Sequence, residues 1–484
     1  MRTALGGLLG TWANREVARF AGIPFAAPPV GELRWRAPRP AARWSGPRPA
    51  DRFGPAPLQS HPPKRSLMYR ANFDEPVPSA MSEDCLYLNV WTPDPAPNAG
   101  LPVLVFLHGG GNRFGHGGQR IHDGAALARH GIVVVTLNYR LGALGFLAHP
   151  GLATEDPDGA SGNYALADVL AALRWIAEHI GAFGGDPGRV TLGGNSAGAA
   201  IACHLMTAGA TRGLVHRVIG QSASGAYRAE GPLPEPERAQ REGAEFAAHW
   251  ADDIAALRAV PGVELVLPGH FGPVVDGALL TEQTGDVLDR GGQLAVPLLA
   301  GSNADEGVLY TRPDAVEALR GRPSEVLAAY PADDPEQARR SAREFTGDSR
   351  FGYPVWRWAT THARTSGAPT FLYRFTQSSP LPPDLAARPA PDGGRGYGSF
   401  HTAELPYLTG NLDALDWPWT EQDHALSRRM REAWSSFVDS GNPGGGWPAS
   451  TGDTAMVFGP ECGPAAIPDL DRMRLLDRLP RPLS

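Results

Sequence analysis

Little in this chain can be cross-linked. Cys85, Cys203 and Cys462 are the three cysteines in 484 residues. An odd and sparse set cannot build a disulfide framework, and it favours a reducing compartment. Lysine is almost missing: Lys64 stands alone, and arginine carries the remaining positive charge. With abundant Ala, 59 Gly and 47 Pro, this is the amino-acid bias of a GC-rich bacterial genome and carries no chemistry. A basic stripe is absent and the formal net charge is -7, so nucleic acid is not an expected partner. No apolar run approaches the length of a membrane span. The opening MRTALGGLLGTW loses its apolar character before it could serve as a signal-peptide core. The expectation is a cytoplasmic protein without a membrane partner and without internal repeats.

What is present is ordinary for a soluble globular protein: 42% hydrophobic and 20% charged residues. By length alone the chain could hold one large core or two or three smaller ones. Residues 83–93 alternate as a strand should. PVLVFL (102–107) and IVVVTL (132–137) are continuous apolar runs, the mark of strands buried on both faces. Further strands are expected at 189–192, 218–221, 296–301, 369–375 and 455–458. Between them, Leu166, Val169, Leu170, Leu173, Ile176, Ala177 and Ile180 repeat at helical spacing, with Gly181 as the stop. Apolar strands alternating with helices predict an α/β fold, with a mostly parallel mixed sheet covered on both faces. Stretches 235–260 and 314–345 read as helices packed against that core, and 378–399 as a long surface loop.

Three stretches at expected strand ends carry chemistry, where open α/β sheets collect functional residues. RVTLGGNSAGAA (189–200) runs strand, tight turn, helix, with Ser196 at the apex of a G-x-S-x-G elbow. A serine held in a strained conformation needs neighbours that are nearly free of side chain, and Gly194 and Gly198 supply them. HGGG (108–111) offers backbone amides that can converge on one oxygen. GSNADEG (301–307) brings an acid to a third strand end. Alone, each has a plainer reading: a glycine turn, a serine-capped helix, a solvated acid. HGGG upstream of a G-x-S-x-G elbow is far more specific than either motif, because together they are the paired signature of an esterase or lipase.

The chain resembles the type-B carboxylesterases, the family of cholinesterases and bacterial p-nitrobenzyl esterases. The resemblance rests on FAGIPFAAPPVGELRW (20–35), EDCLYLNVW (83–91), HGGG, NYRLGALGF (138–146), GGNSAGA (193–199), FGPVVDG (271–277), GSNADEG, FHTAELPY (400–407) and SGNP (440–443), in the family's order over nearly the whole chain. It implies one α/β-hydrolase domain over residues 1–484, with insertions at about 225–265 and 308–400. It implies Ser196 as nucleophile, His401 as general base and acid, and Glu306 as the residue that orients the imidazole. Gly110, Gly111 and Ala197 would supply the oxyanion amides. No metal or organic cofactor is required. His108, His116 and His122 are close in sequence but lack a trusted ligand spacing, and their loop is rich in glycine.

The departures from the family pattern matter. Asn195 stands where the family usually has Glu. Its neutrality should weaken attraction for cationic substrates and extend activity to lower pH. Asn112 follows HGGG where an aromatic residue is common. Pro57 stands where relatives place a disulfide partner for Cys85, so Cys85 should be free. Cys203 reads as packing. Glu83 and Arg140 read as structural charges that could pair with each other, and Trp91, Trp175 and Trp434 as core. Asn112, Phe114, Asn195, Ser222, residues near 222–227, region 308–360 and loop 378–399 are the candidates for the substrate pocket. The expected function is serine carboxylic-ester hydrolysis of a small-molecule ester, with the oligomeric state open. Two alternatives stand beside it: a tailoring esterase or acyltransferase for a natural product, and a non-catalytic binding protein.

Overall fold

A computed structural model describes residues 1–72, 80–251, 253–266, 271–391, 393–394 and 396–483. Position 252 of the expected helical stretch and positions 392 and 395 of the expected loop lie outside them. The strands of the main sheet are β1 (Thr11–Trp12), β2 (Ala18–Pro24), β3 (Tyr87–Thr92), β4 (Leu101–Leu107), β5 (Val133–Leu137), β6 (Gly185–Asn195), β7 (Arg217–Gln221), β8 (Leu298–Asn303), β9 (Thr370–Phe375), β10 (Thr454–Phe458) and β11 (Gly463–Ala466). They lie side by side in the order β11-β10-β9-β8-β7-β6-β4-β5-β3-β2-β1. From β5 through β4 and β6 to β10 every neighbour is parallel, while β1, β2, β3 and β11 join antiparallel at the edges. The expected mixed, mostly parallel sheet is therefore present.

The apolar runs form the middle of this sheet because both faces are covered. On β4, Val103, Val105 and Leu107 join the core beneath the helix Tyr164–His179. Leu104 and Phe106 point the other way and pack with Met430, Trp434 and Phe437 of the helix Glu421–Ser440. That long helix was not anticipated, although Leu426, Met430, Trp434 and Val438 recur every fourth residue. Trp91, Trp175 and Trp434 are all buried, as expected of core residues.

Other boundaries moved for local reasons. The helix from Tyr164 ends at His179 and tightens into a 3-10 turn, Ile180–Phe183. Gly184, not Gly181, makes the stop: its φ is 84°, and an added Cβ would lie 2.1 Å from the carbonyl oxygen of Asp94. The elbow strand runs on to Asn195, and its helix begins at Ala197. Region 235–260 holds the helices Pro236–Ala247 and Ile254–Ala259. Region 314–345 holds Ala315–Arg320, Ser324–Ala329 and Pro335–Gly347. Within 378–399, Pro383–Ala386 forms a short helix. Cys85 and Cys203 are buried free thiols. Among the described residues no helix is long and apolar enough to cross a membrane.

Glu83 and Arg140 are structural charges, but they do not pair with each other. Glu83 accepts from Nε and Nη2 of Arg34 at 2.7 and 2.6 Å. Arg140 grips Asp168, which is fully buried on the helix Tyr164–His179, and its own backbone N–H also donates to that carboxylate at 3.0 Å. The fork of a guanidinium fits one carboxylate in two-point contact, and Asp168 offers it from the facing helix. Removing one member of such a pair strands a buried charge. Asp168→Ala should therefore cost about 3–5 kcal/mol of unfolding free energy, read from urea denaturation. A loss below about 1 kcal/mol, the range of a surface pair, would show that the contact does not hold this helix to the sheet.

Candidate active site

Loops at the carboxyl ends of β4, β6, β8 and β9 bring the candidate residues together. At the elbow, Ser196 has φ 53° and ψ -124°, a conformation that a side-chain-bearing residue rarely adopts. Its N–H is spent on Gln221 O at 2.7 Å, which ties the apex to the end of β7. A Cβ on Gly194 would come 2.5 Å from the Gly198 backbone, and one on Gly198 would come 2.3 Å from Leu107 O. The two flanking glycines are thus dictated by close approach of backbone to backbone.

The HGGG loop is held from outside. His108 stacks on Tyr139 with ring centroids 4.3 Å apart, and the Tyr139 hydroxyl donates to His108 O at 2.7 Å. Gly115 N donates to Gln59 Oε1 at 2.7 Å, and Gln59 Nε2 returns a bond to Gly115 O at 3.0 Å. Gly110 and Gly111 have φ 112° and 61°, and Arg113 and Phe114 both donate to Gly110 O. No described residue accepts from the N–H of Gly110, Gly111 or Ala197, so all three amides are available. His108, His116 and His122 are buried, which pushes them down to about 4, 3 and 3 and keeps them neutral packing groups. Among the described residues, no group of His, Cys, Asp and Glu is arranged to hold a metal ion.

Glu306 and His401 meet across 95 residues of chain. His401 Nδ1 lies 2.6 Å from Glu306 Oε2, with both side chains almost fully buried. The carboxylate's other oxygen accepts from Asn303 N at 2.8 Å. Asp305 fastens the His401 loop by accepting from Ser399 N and Oγ at 2.9 and 3.1 Å. Tyr310 meets the imidazole edge-on at 5.1 Å and Phe351 packs at 4.5 Å. With Nδ1–H committed to the carboxylate, Nε2 is left as an acceptor. Ser196 and His401 line one small cavity of about 30 Å³, with Gly109, Gly110, Phe114 and Asn195. Gly111, Asn112, Ala197 and Phe351 border a second cavity of about 390 Å³.

Known proteins match both this sequence and this geometry. The model of the carboxylesterase family matches residues 1–320 and 313–459. The chain belongs to the carboxylesterase family. It is 35% identical to fumonisin B1 esterase of Sphingopyxis macrogoltabida, over 93% of this chain and 84% of that protein. It is 33% identical to para-nitrobenzyl esterase of Bacillus subtilis (strain 168), over 92% and 91%. A solved p-nitrobenzyl esterase superposes with TM-score 0.81 at 30% identity, covering 98% of each chain. A carboxylesterase of Geobacillus stearothermophilus does so with TM-score 0.81 at 31%, covering 98% of this chain and 99% of that one.

The expected pocket residues divide. Phe114 and Asn195 line the small cavity and Asn112 the large one. Asn112 has φ 60°, and its buried Oδ1 has no partner among the described residues. Ala223, Ser224 and Gly225 border the large cavity, but Ser222 does not: with φ 57° and its N–H bonded to Gly301 O, it is turned wholly into the interior. From region 308–360, Tyr310, Arg350 and Phe351 contribute, whereas no described residue of the 378–399 loop borders either cavity.

Glu404 was missed. The motif FHTAELPY contains it, but nothing local marks it as more than a helix-leading acid. In the fold it is fully buried and accepts from Asn195 Nδ2 and Gln221 Nε2 on Oε1 at 2.9 and 3.2 Å, and from Asn303 Nδ2 on Oε2 at 2.6 Å. Asn195 therefore does not simply leave the centre without a charge; it serves a carboxylate one step deeper. Burial, then repulsion from Glu306, pushes Glu404 up to about 7 despite the three amides. Between the ordinary value of 4.5 and about 7, the folded state holds a proton that the unfolded chain has released. Glu404 thus costs stability as pH rises through that window. Glu404→Gln should flatten the decline in the urea midpoint between pH 5 and pH 7.5. A variant as steep as the wild type would show that Glu404 does not titrate there.

Proposed function

We propose that the chain hydrolyses carboxylic esters through a covalent acyl-enzyme, with Ser196 as nucleophile, His401 as proton carrier and Glu306 as the residue that orients it. One observation carries the reading: the buried 2.6 Å contact of His401 Nδ1 with Glu306, in a ring that opens onto the cavity of Ser196. His401 Nε2 would take the hydroxyl proton as Ser196 Oγ attacks the ester carbonyl. The oxyanion would be met by the unpaired amides of Gly110, Gly111 and Ala197, preorganised by the HGGG loop and the elbow. His401 then protonates the leaving alcohol, and water repeats the path on the acyl-enzyme. The Glu306 carboxylate would stabilise the imidazolium that forms between these steps.

The test is turnover of p-nitrophenyl esters from acetate to decanoate by the wild type and by Ser196→Ala. The wild type should turn over several of them, and the variant should lose about a thousandfold or more in kcat at every chain length. A variant within about tenfold of the wild type would remove Ser196 from the chemistry. Rapid mixing should show a burst of nitrophenolate if deacylation is the slower step.

A further inference from the structure

The two cavities divide an ester between them, and the larger one carries an unusual excess of positive charge. The leaving alcohol oxygen must lie beside the imidazole that protonates it, and His401 lines the small cavity. The carbonyl oxygen must lie by the amides of Gly110, Gly111 and Ala197, which stand where the two cavities meet: Gly110 lines the small one, and Gly111 and Ala197 border the large one. With the alcohol side taking the small cavity beside His401, the cavity of about 390 Å³ is the space left for the acyl chain. Arg113, Arg228 and Arg350 line that cavity.

Their only acidic company among the described residues of the wall is thin. Glu230 is shared, 3.1 Å from Arg350 Nη2 and 3.8 Å from Arg228 Nε. Arg113 has no side-chain partner among the described residues. Glu242 is taken by Arg238 at 2.7 Å, so that pair is neutral in sum. His204, also in the wall, is pushed down to about 3 by burial and adds no charge. Three guanidiniums thus face one carboxylate. Arg350 also lies over the Tyr310 ring at 5.6 Å, and that ring touches His401 edge-on, so the cluster sits close to the reacting carbon. Burial, with Arg350 nearby, holds the Arg228 guanidinium below its ordinary value, a cost that a bound anion would relieve.

We propose that the acyl half of the ester substrate carries a carboxylate at its far end, and that Arg113, Arg228 and Arg350 bind it. Guanidinium groups are suited to this, since each can meet a carboxylate in two-point contact. The proposal rests on the esterase reading and names the substrate class of that site: half-esters of dicarboxylic acids, hydrolysed at the ester and leaving the free dicarboxylate. The released diacid is held by the same arginines until it diffuses out.

The probe pair is mono-p-nitrophenyl adipate against p-nitrophenyl hexanoate. They match in chain length and differ in a terminal carboxylate against a methyl. Shorter half-esters are avoided because their own carboxylate closes to a cyclic anhydride. In the wild type at low salt, kcat/KM should favour the adipate by about tenfold or more, about 1.4 kcal/mol. High salt should shrink that preference. In Arg228→Gln/Arg350→Gln the adipate-to-hexanoate ratio should fall to about one, Arg228→Lys should retain part of it, and Glu230→Gln should raise it. The ratio is taken on one protein sample, so partial misfolding cancels. A wild type that hydrolyses hexanoate as well as adipate overturns the proposal and leaves the esterase reading standing. An unchanged ratio in the double variant also overturns it. Failure on both esters sinks the esterase reading itself.

Discussion

The contact between His401 Nδ1 and Glu306 is the constraint on which the site depends. A carboxylate and an imidazole taken out of water together are costly, by several kcal/mol for each ion, unless every lone pair and proton finds a partner. The surroundings provide these partners. Asn303 N satisfies one oxygen of Glu306, His401 the other, and Asp305 clips the histidine loop to the end of β8 through Ser399. Asn303 adds a bond from Nδ2 to Phe400 O at 2.8 Å, immediately before His401. The parallel pairing of β8 with β9 sets the distance across which all of this closes. The large sheet is thus the frame that makes one 2.6 Å contact affordable.

Around that contact the fold sets three different steric and electrostatic environments. At Gly194, Gly198 and Gly110 backbone approaches backbone so closely that glycine is required. Beneath Ser196, the ends of β6, β7 and β8 present Asn195, Gln221 and Asn303 to the carboxylate of Glu404. Beside the N–H groups of Gly111 and Ala197, Arg113, Arg228 and Arg350 line the larger cavity. A neutral elbow turn, a buried acid poised near neutrality and an arginine-lined cavity thus stand within one site. Such a field acts most strongly on a substrate whose charge lies at one end.

Much of this was legible in the sequence, for local reasons. Gly194, Ser196 and Gly198 announce themselves because a tight turn restricts which residues can occupy it. PVLVFL and IVVVTL announce β4 and β5 because a strand covered on both faces has no polar side. Partner choice across the fold was not legible. Glu83 and Arg140 stood out as structural charges, yet each pairs with a residue, Arg34 or Asp168, that only packing brings near. The helix Glu421–Ser440 had a readable four-residue repeat and was overlooked behind its charges. Glu404 had a fainter signal: Asn195, Gln221 and Asn303 each end a strand in an amide, which three adjacent strands would bring to one point. The three arginines come from distant loops, and no spacing in the sequence connects them.

The most direct test of the account is covalent labelling by an organophosphorus ester, followed by peptide mass spectrometry on the wild type and on Glu306→Gln. The account predicts a single adduct on Ser196. It also predicts that labelling slows by at least about a hundredfold in Glu306→Gln, because the imidazole loses the carboxylate that orients it. An adduct on another residue, or equal labelling rates in the two proteins, would contradict the central claim.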